Sequence, residues 1–125
     1  MGLVDNLRGN ASAANVEQVT AELQPILTPS EEVHRAYAVF RDLFVFTNQR
    51  LLLVDKQGMT GKKTEYVSVP YRSITHFKAE TAGGFDADAE LTLYLSGGAT
   101  PIYKEFGKKS NIQDIQAVLA HYVLG

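Results

Sequence analysis

The sequence predicts a mostly β domain: a strongly bent, seven-stranded antiparallel barrel capped by a C-terminal α-helix, with a further helix at the N-terminus. Three observations lead there. After residue 30, β-branched and aromatic runs alternate with turn signals as far as residue 106. The connections Arg41-Asp42 and Thr47-Asn48-Gln49 are of hairpin length. The closing segment, residues 110–122, carries one apolar stripe, which needs a sheet to cover it.

Residues 1–14 are small and polar apart from Leu3, Val4 and Leu7, and are expected as a frayed arm or a short docking helix. From Asn15 the pattern turns helical. Val16, Val19 and Leu23 recur at i, i+3 and i+7, Asn15 is suited to cap the first turn, and Pro25 stops the helix near Gln24. Thr28-Pro29-Ser30 makes a break.

Strands are expected near Val33–Phe40, Leu43–Phe46, Arg50–Asp55, Thr64–Val69, Ile74–Glu80, Glu90–Leu95 and Thr100–Phe106. In the sixth, Leu91, Leu93 and Leu95 face one way while Glu90, Thr92 and Tyr94 face the other, the pattern of a half-buried strand. Leu51–Val54 is continuously apolar, as a strand covered on both faces would be. Thr47-Asn48-Gln49, Ala82-Gly83-Gly84 and Ser96-Gly97-Gly98-Ala99 read as turns. Ser110-x-x-Gln113 fits a capping box, followed by the stripe Ile112, Ile115, Val118, Leu119 and Tyr122.

At 125 residues, with 45% apolar and 21% charged residues, the chain has the size and composition of one globular domain. Zero cysteines exclude disulfides, thiolate metal sites and cysteine nucleophiles. Twelve basic against fourteen acidic residues lack the basic excess that nucleic-acid binding needs, and leave membrane contact weak or absent. The N-terminus lacks the basic flank and apolar core of a secretory signal, and Asn6 stands where a myristoylation motif wants Ser or Thr. A cytoplasmic protein is the expectation.

Four stretches in order, Asp42-x-x-x-Phe46-Thr47-Asn48-Gln49-Arg50, Val54-Asp55-Lys56-Gln57-Gly58-x-x-Gly61-Lys62-Lys63, Pro70-Tyr71-Arg72-Ser73-Ile74 and Glu80-Thr81-Ala82-Gly83, resemble the bacterial pleckstrin-homology (PH) domain family. The resemblance implies a PH-like barrel over residues 31–125, preceded by an arm and helix over 1–30. It also implies a ring-shaped homo-oligomer, commonly a pentamer. Read on their own chemistry, these stretches are loop-defining residues with structural duties.

Catalytic chemistry is not expected. There is no strand–Ser–helix elbow, and His34, His76 and His121 are too scattered for a metal site, so no metal and no cofactor is expected. The Gly58–Thr64 stretch departs from a phosphate loop at its first Gly and its hydroxyl position. Arg41, Lys62 and Lys63 are the candidate contacts for a lipid headgroup, the alternative function; the short Arg41-Asp42 connection is ill suited to wrap one. Asp86, Asp88 and Glu90 alternate without the central Gly and distal Glu of a calcium loop. They read as an acidic face that meets Lys62, Lys63 or Arg72 of a neighbouring copy. Val16, Val19 and Leu23, a stripe with no evident place in a seven-strand-plus-helix core, complete the expected oligomer interface. The expected partner is the chain itself, with a protein or peptide as a further candidate.

Overall fold

The computed structural model describes residues 10–39, 42–57, 63–81, 88–107 and 111–125. The chain forms two compact units, Met1–Val69 and Pro70–Gly125.

In the first unit, β1 (Asn10–Ala13) leads into α1 (Val16–Leu23), a 3₁₀ turn over Gln24–Ile26, and then β2 (Val33–Val39), β3 (Asp42–Thr47), β4 (Arg50–Gln57) and β5 (Lys63–Pro70). The five strands form one sheet in sequence order. β1 was not anticipated: Asn10–Ala13 carry no strand-like alternation, and they pair antiparallel with the end of β2, Ala13 opposite Tyr37. Asn15 caps α1 as expected, its Oδ1 accepting the Gln18 N–H at 3.0 Å. Pro25 falls in the 3₁₀ turn just past the helix.

The register shows why Leu51–Val54 is apolar without interruption. Leu43 lies opposite Val54 and Val45 opposite Leu52, on one face of the sheet; Phe44 lies opposite Leu53 and Phe46 opposite Leu51, on the other. All four residues from Leu51 to Val54 are buried. The first face, with Val33, Ala36, Val45, Leu52 and Val54, packs against Val19 and Leu23 of α1, and Ala14, Val16, Leu27 and Leu43 join at its margin. The second face holds an aromatic cluster. Phe46 meets Tyr37 edge-on at 6.2 Å and Phe44 at 5.5 Å between ring centroids.

In the second unit, a 3₁₀ turn (Tyr71–Ser73) opens into β6 (Ile74–Thr81), β7 (Ala89–Leu95), β8 (Ile102–Phe106) and α2 (Ile112–Leu124). The strands form an antiparallel sheet in the order β6-β7-β8. Leu91 and Leu93 are buried while Glu90, Thr92 and Tyr94 are not, so the expected alternation of β7 holds. Gly97 and Gly98 take φ of 83° and 72° at the β7–β8 turn, backbone that only glycine adopts without cost.

α2 packs against β6 and buries Ile112, Ile115 and Leu119; Val118 and Tyr122 are half-buried. Tyr122 stacks on Tyr71 at 4.6 Å with the rings 14° apart, tying the helix to the turn before β6. The helix begins one residue later than the capping box required. Asn111 is the cap residue and makes no side-chain cap hydrogen bond, and Ser110 lies outside the described residues. Each of the seven expected strands is present, within one or two residues of its expected limits where described. They belong to two hydrogen-bonded sheets, of five and three strands.

Candidate functional site

The turn Thr47-Asn48-Gln49-Arg50 organises a polar clasp around one buried acid. The Glu31 side chain is fully shielded from solvent, and its carboxylate accepts from Arg50 Nε at 2.8 Å and from a terminal guanidinium nitrogen at 2.9 Å. The Thr47 hydroxyl donates to it at 2.7 Å and the Thr28 N–H at 3.1 Å. Burial alone would raise the Glu31 pKa; the hydrogen bonds from Arg50, Thr47 and Thr28 and the Arg50 charge outweigh it and hold the carboxyl below its ordinary 4.5. Arg50 also donates to the Ile26 carbonyl and to Ser68 Oγ, each at 2.7 Å. Asn48 accepts from the Glu32 N–H at 2.7 Å and donates to the Ser30 carbonyl at 3.1 Å. Asp42 accepts the Lys56 N–H at 2.9 Å at the far end of the β3–β4 hairpin. This first motif of the sequence therefore secures the fold, the structural duty expected of its loop-defining residues.

The solvent side of the three-stranded sheet carries the other constellation. Glu80 lies opposite Glu90, and Glu90 opposite Glu105, so three carboxylates form a row across β6, β7 and β8. Like charges placed directly opposite destabilise a sheet. Asp88 is exposed beside them, and these four acids, with Ala79 and Thr81, line a shallow open depression. In the next row Tyr103, 53% exposed, stands across from Thr92. Beyond it, the His76 ring stacks on Tyr94 at 4.3 Å. A hydrogen bond from Tyr103 to Glu90, followed by burial and the charges of Glu90, Glu105 and Glu80, pushes the phenol pKa up to about 12. The proton is thus held through pH 10 and released as pH rises past the folded value. Ultraviolet titration at the tyrosinate band should include a late step from Tyr103, which Glu90→Gln should return toward the ordinary 10.0; an unchanged profile in the variant refutes the hydrogen bond.

Of the residues singled out from sequence, Asp88 lies at this acidic row, Lys63 is exposed at the start of β5, and Arg72 is exposed in the turn before β6. Arg41, Lys62 and Asp86 lie outside the described residues. The stripe Val16, Val19 and Leu23 needs correction. Val19 and Leu23 are 5% and 1% exposed against the chain's own sheet, with Val16 at the margin, so the premise that the stripe lacks a place in the core does not hold. Its physical reason is the apolar face of β2–β4 formed by Val33, Ala36, Val45, Leu52 and Val54, which needs a cover.

The row itself was missed. Glu80 and Glu105 join Glu90 only through strand register, and the available signal was that each takes an outward position in its strand. Glu31 was missed because one of two adjacent acids beside a break, Glu31-Glu32, looks like a solvated residue. Among the described residues no group of three or more His, Cys, Asp or Glu is placed to hold a metal ion, and no helix is long and apolar enough to cross a membrane.

Comparison with known proteins places this arrangement among relatives. A family model for the bacterial PH domain matches residues 2–123. The chain is 53% identical to the uncharacterized protein YjqA of Bacillus subtilis (strain 168), over 96% of this chain and 97% of that one. The crystal structure of a pleckstrin-homology domain from Shewanella amazonensis SB2B superimposes with a TM-score of 0.86 at 52% identity, covering 99% of this chain and all of that one. A DUF1696 family protein with a pleckstrin-homology domain, from Shewanella loihica PV-4, gives a TM-score of 0.79 at 51% identity, over 92% of this chain and 98% of that one.

Proposed function

The chain belongs to the bacterial PH domain family, and from that premise we propose that it is a non-enzymatic binding module that assembles with copies of itself. The assembly is a cyclic homo-oligomer, a pentameric ring as the family resemblance implies, acting in the cytoplasm and presenting a composite surface to a protein or peptide.

The observation that carries this reading is the exposure of β5. It ends the five-stranded order, and of its eight residues only Val69 is buried, with Tyr66 48% exposed. Edge strands of this kind are ordinarily covered or blunted, and tyrosine offers a partner both apolar area and a polar tip. Lys63 begins this strand, with Glu65 also exposed on it, and the acidic row with Asp88 and Tyr103 is a second, unlike surface. Contact between two unlike surfaces is head-to-tail, and it closes into a ring when the rotation allows. Arg72 and Asp88 remain interface candidates; the α1 stripe does not.

Light scattering tests the proposal. The wild-type chain should elute at about five times its 13.7 kDa mass. Tyr66→Asp should shift it to the monomer with its circular dichroism unchanged. A wild-type mass of 13.7 kDa at every working concentration overturns the assembly.

A further inference from the structure

We propose that residues 10–27 form a detachable strap over an apolar helix-binding groove, that the Glu31–Arg50 ion pair is its latch, and that the vacated groove takes the same segment from a second copy of the chain.

The groove is the first face of the five-stranded sheet: Val33, Ala36, Val45, Leu52 and Val54, filled by Val19 and Leu23. Its occupant is an eight-residue helix, too short to persist alone in water, so the helix exists because the groove does. Among the described residues the remaining ties of the strap are few. β1 pairs with β2 at one side, the Ala14 N–H donates to the Ala36 carbonyl at 2.8 Å, and a half-exposed Glu22–Lys56 pair closes at 3.0 Å.

The opposite face of the same strands carries its own apolar set, of which only Tyr37 has a strap residue, Ala13, paired across from it. Tyr37, Phe44, Phe46, Leu51 and Leu53 are all buried there. Loss of the strap therefore leaves β2–β4 with an intact aromatic cluster on one side and an open groove on the other.

Arg50 is placed to control that loss. One guanidinium nitrogen spans the connector, donating to the Ile26 carbonyl at 2.7 Å and to Glu31 at 2.9 Å. Both ends of the link between strap and β2 are thereby pinned to β4. Within that link, Pro29 restricts the backbone to few conformations. Once unpinned, the connector lets the strap leave the groove, and copies can then exchange this identical element at low cost. A second copy's strap carries the same side chains that the groove already fits. The exchange uses neither β5 nor the acidic row, so it stands or falls apart from the ring.

Amide hydrogen exchange on full-length Glu31→Gln, read by mass spectrometry, is the first arm of the test. The amides of α1 should lose at least about tenfold more protection than those of β3 and β4, which fall only with the stability of the whole domain. In the second arm, a fluorescein-labelled peptide of residues 10–27 should bind the variant at least about tenfold more tightly than the wild type, and unlabelled peptide should compete. Should the variant not fold, native-state exchange of the wild type in sub-denaturing urea gives the same reading: α1 opens before β3 and β4. An equal loss of protection in α1, β3 and β4, or equal peptide binding by variant and wild type, overturns the proposal. A wild-type monomer by light scattering overturns only the ring.

Discussion

Phe46→Ala should lower the stability of the domain by about 4 kcal/mol, the range found when a fully buried aromatic ring is removed from a core. The Phe46 side chain is wholly buried, paired in register with Leu51, and meets two further rings edge-on. Neither Tyr37 nor Phe44 can collapse into the space it leaves, because each is held in a paired strand and is itself buried. A loss of that size approaches the whole stability of a small domain at the low end of the usual range. Urea unfolding should show the midpoint falling with the slope unchanged. Phe46→Leu, which keeps most of the volume, should cost about 1.5 kcal/mol or less. If the alanine variant lost under about 1 kcal/mol, the aromatic face would not be a packed core.

Glu31→Gln should cost about 3 kcal/mol at neutral pH, because it leaves a largely buried guanidinium facing a neutral amide. The same residue sets an acid limit. Its folded pKa lies below the ordinary 4.5, so its stabilising contribution is complete above that value and is lost as pH falls through the folded pKa. The unfolding free energy of the wild type should therefore drop on acidification below about pH 4.5 more steeply than that of Glu31→Gln, and the two curves should converge. Parallel curves across that window would mean that the carboxylate is not the charged partner of Arg50. Arg50→Lys should recover little, since a single ammonium cannot reach Glu31, Ile26 and Ser68 together.

The residues that secure these two regions lie in one motif, Phe46-Thr47-Asn48-Gln49-Arg50, and the sequence marks it as a strand–turn–strand junction. What that motif holds was not visible there. Glu31 sits many positions upstream, and nothing in its neighbours separates a buried acid from a solvated one. The interface candidates fared unevenly for a related reason. Asp88 and Arg72 are exposed where a partner can reach them, whereas Val19 and Leu23 are enclosed. An amphipathic stripe shows that a helix has something to cover; it does not show whether the covered surface is its own.

Periodicity and turn chemistry settled which segments are strands and which are helices, because alternation at two residues, the repeat of Ile112, Ile115 and Leu119, and the glycines of the β7–β8 turn are local properties of the chain. The unbroken apolar run Leu51–Val54 even required covers on both faces of β4. Only the folded chain decided what the second cover is, namely α1, and only strand register brought Glu80, Glu90 and Glu105 into one row. Both depend on pairing between residues distant in sequence, where the free energy belongs to the contact and not to either segment alone.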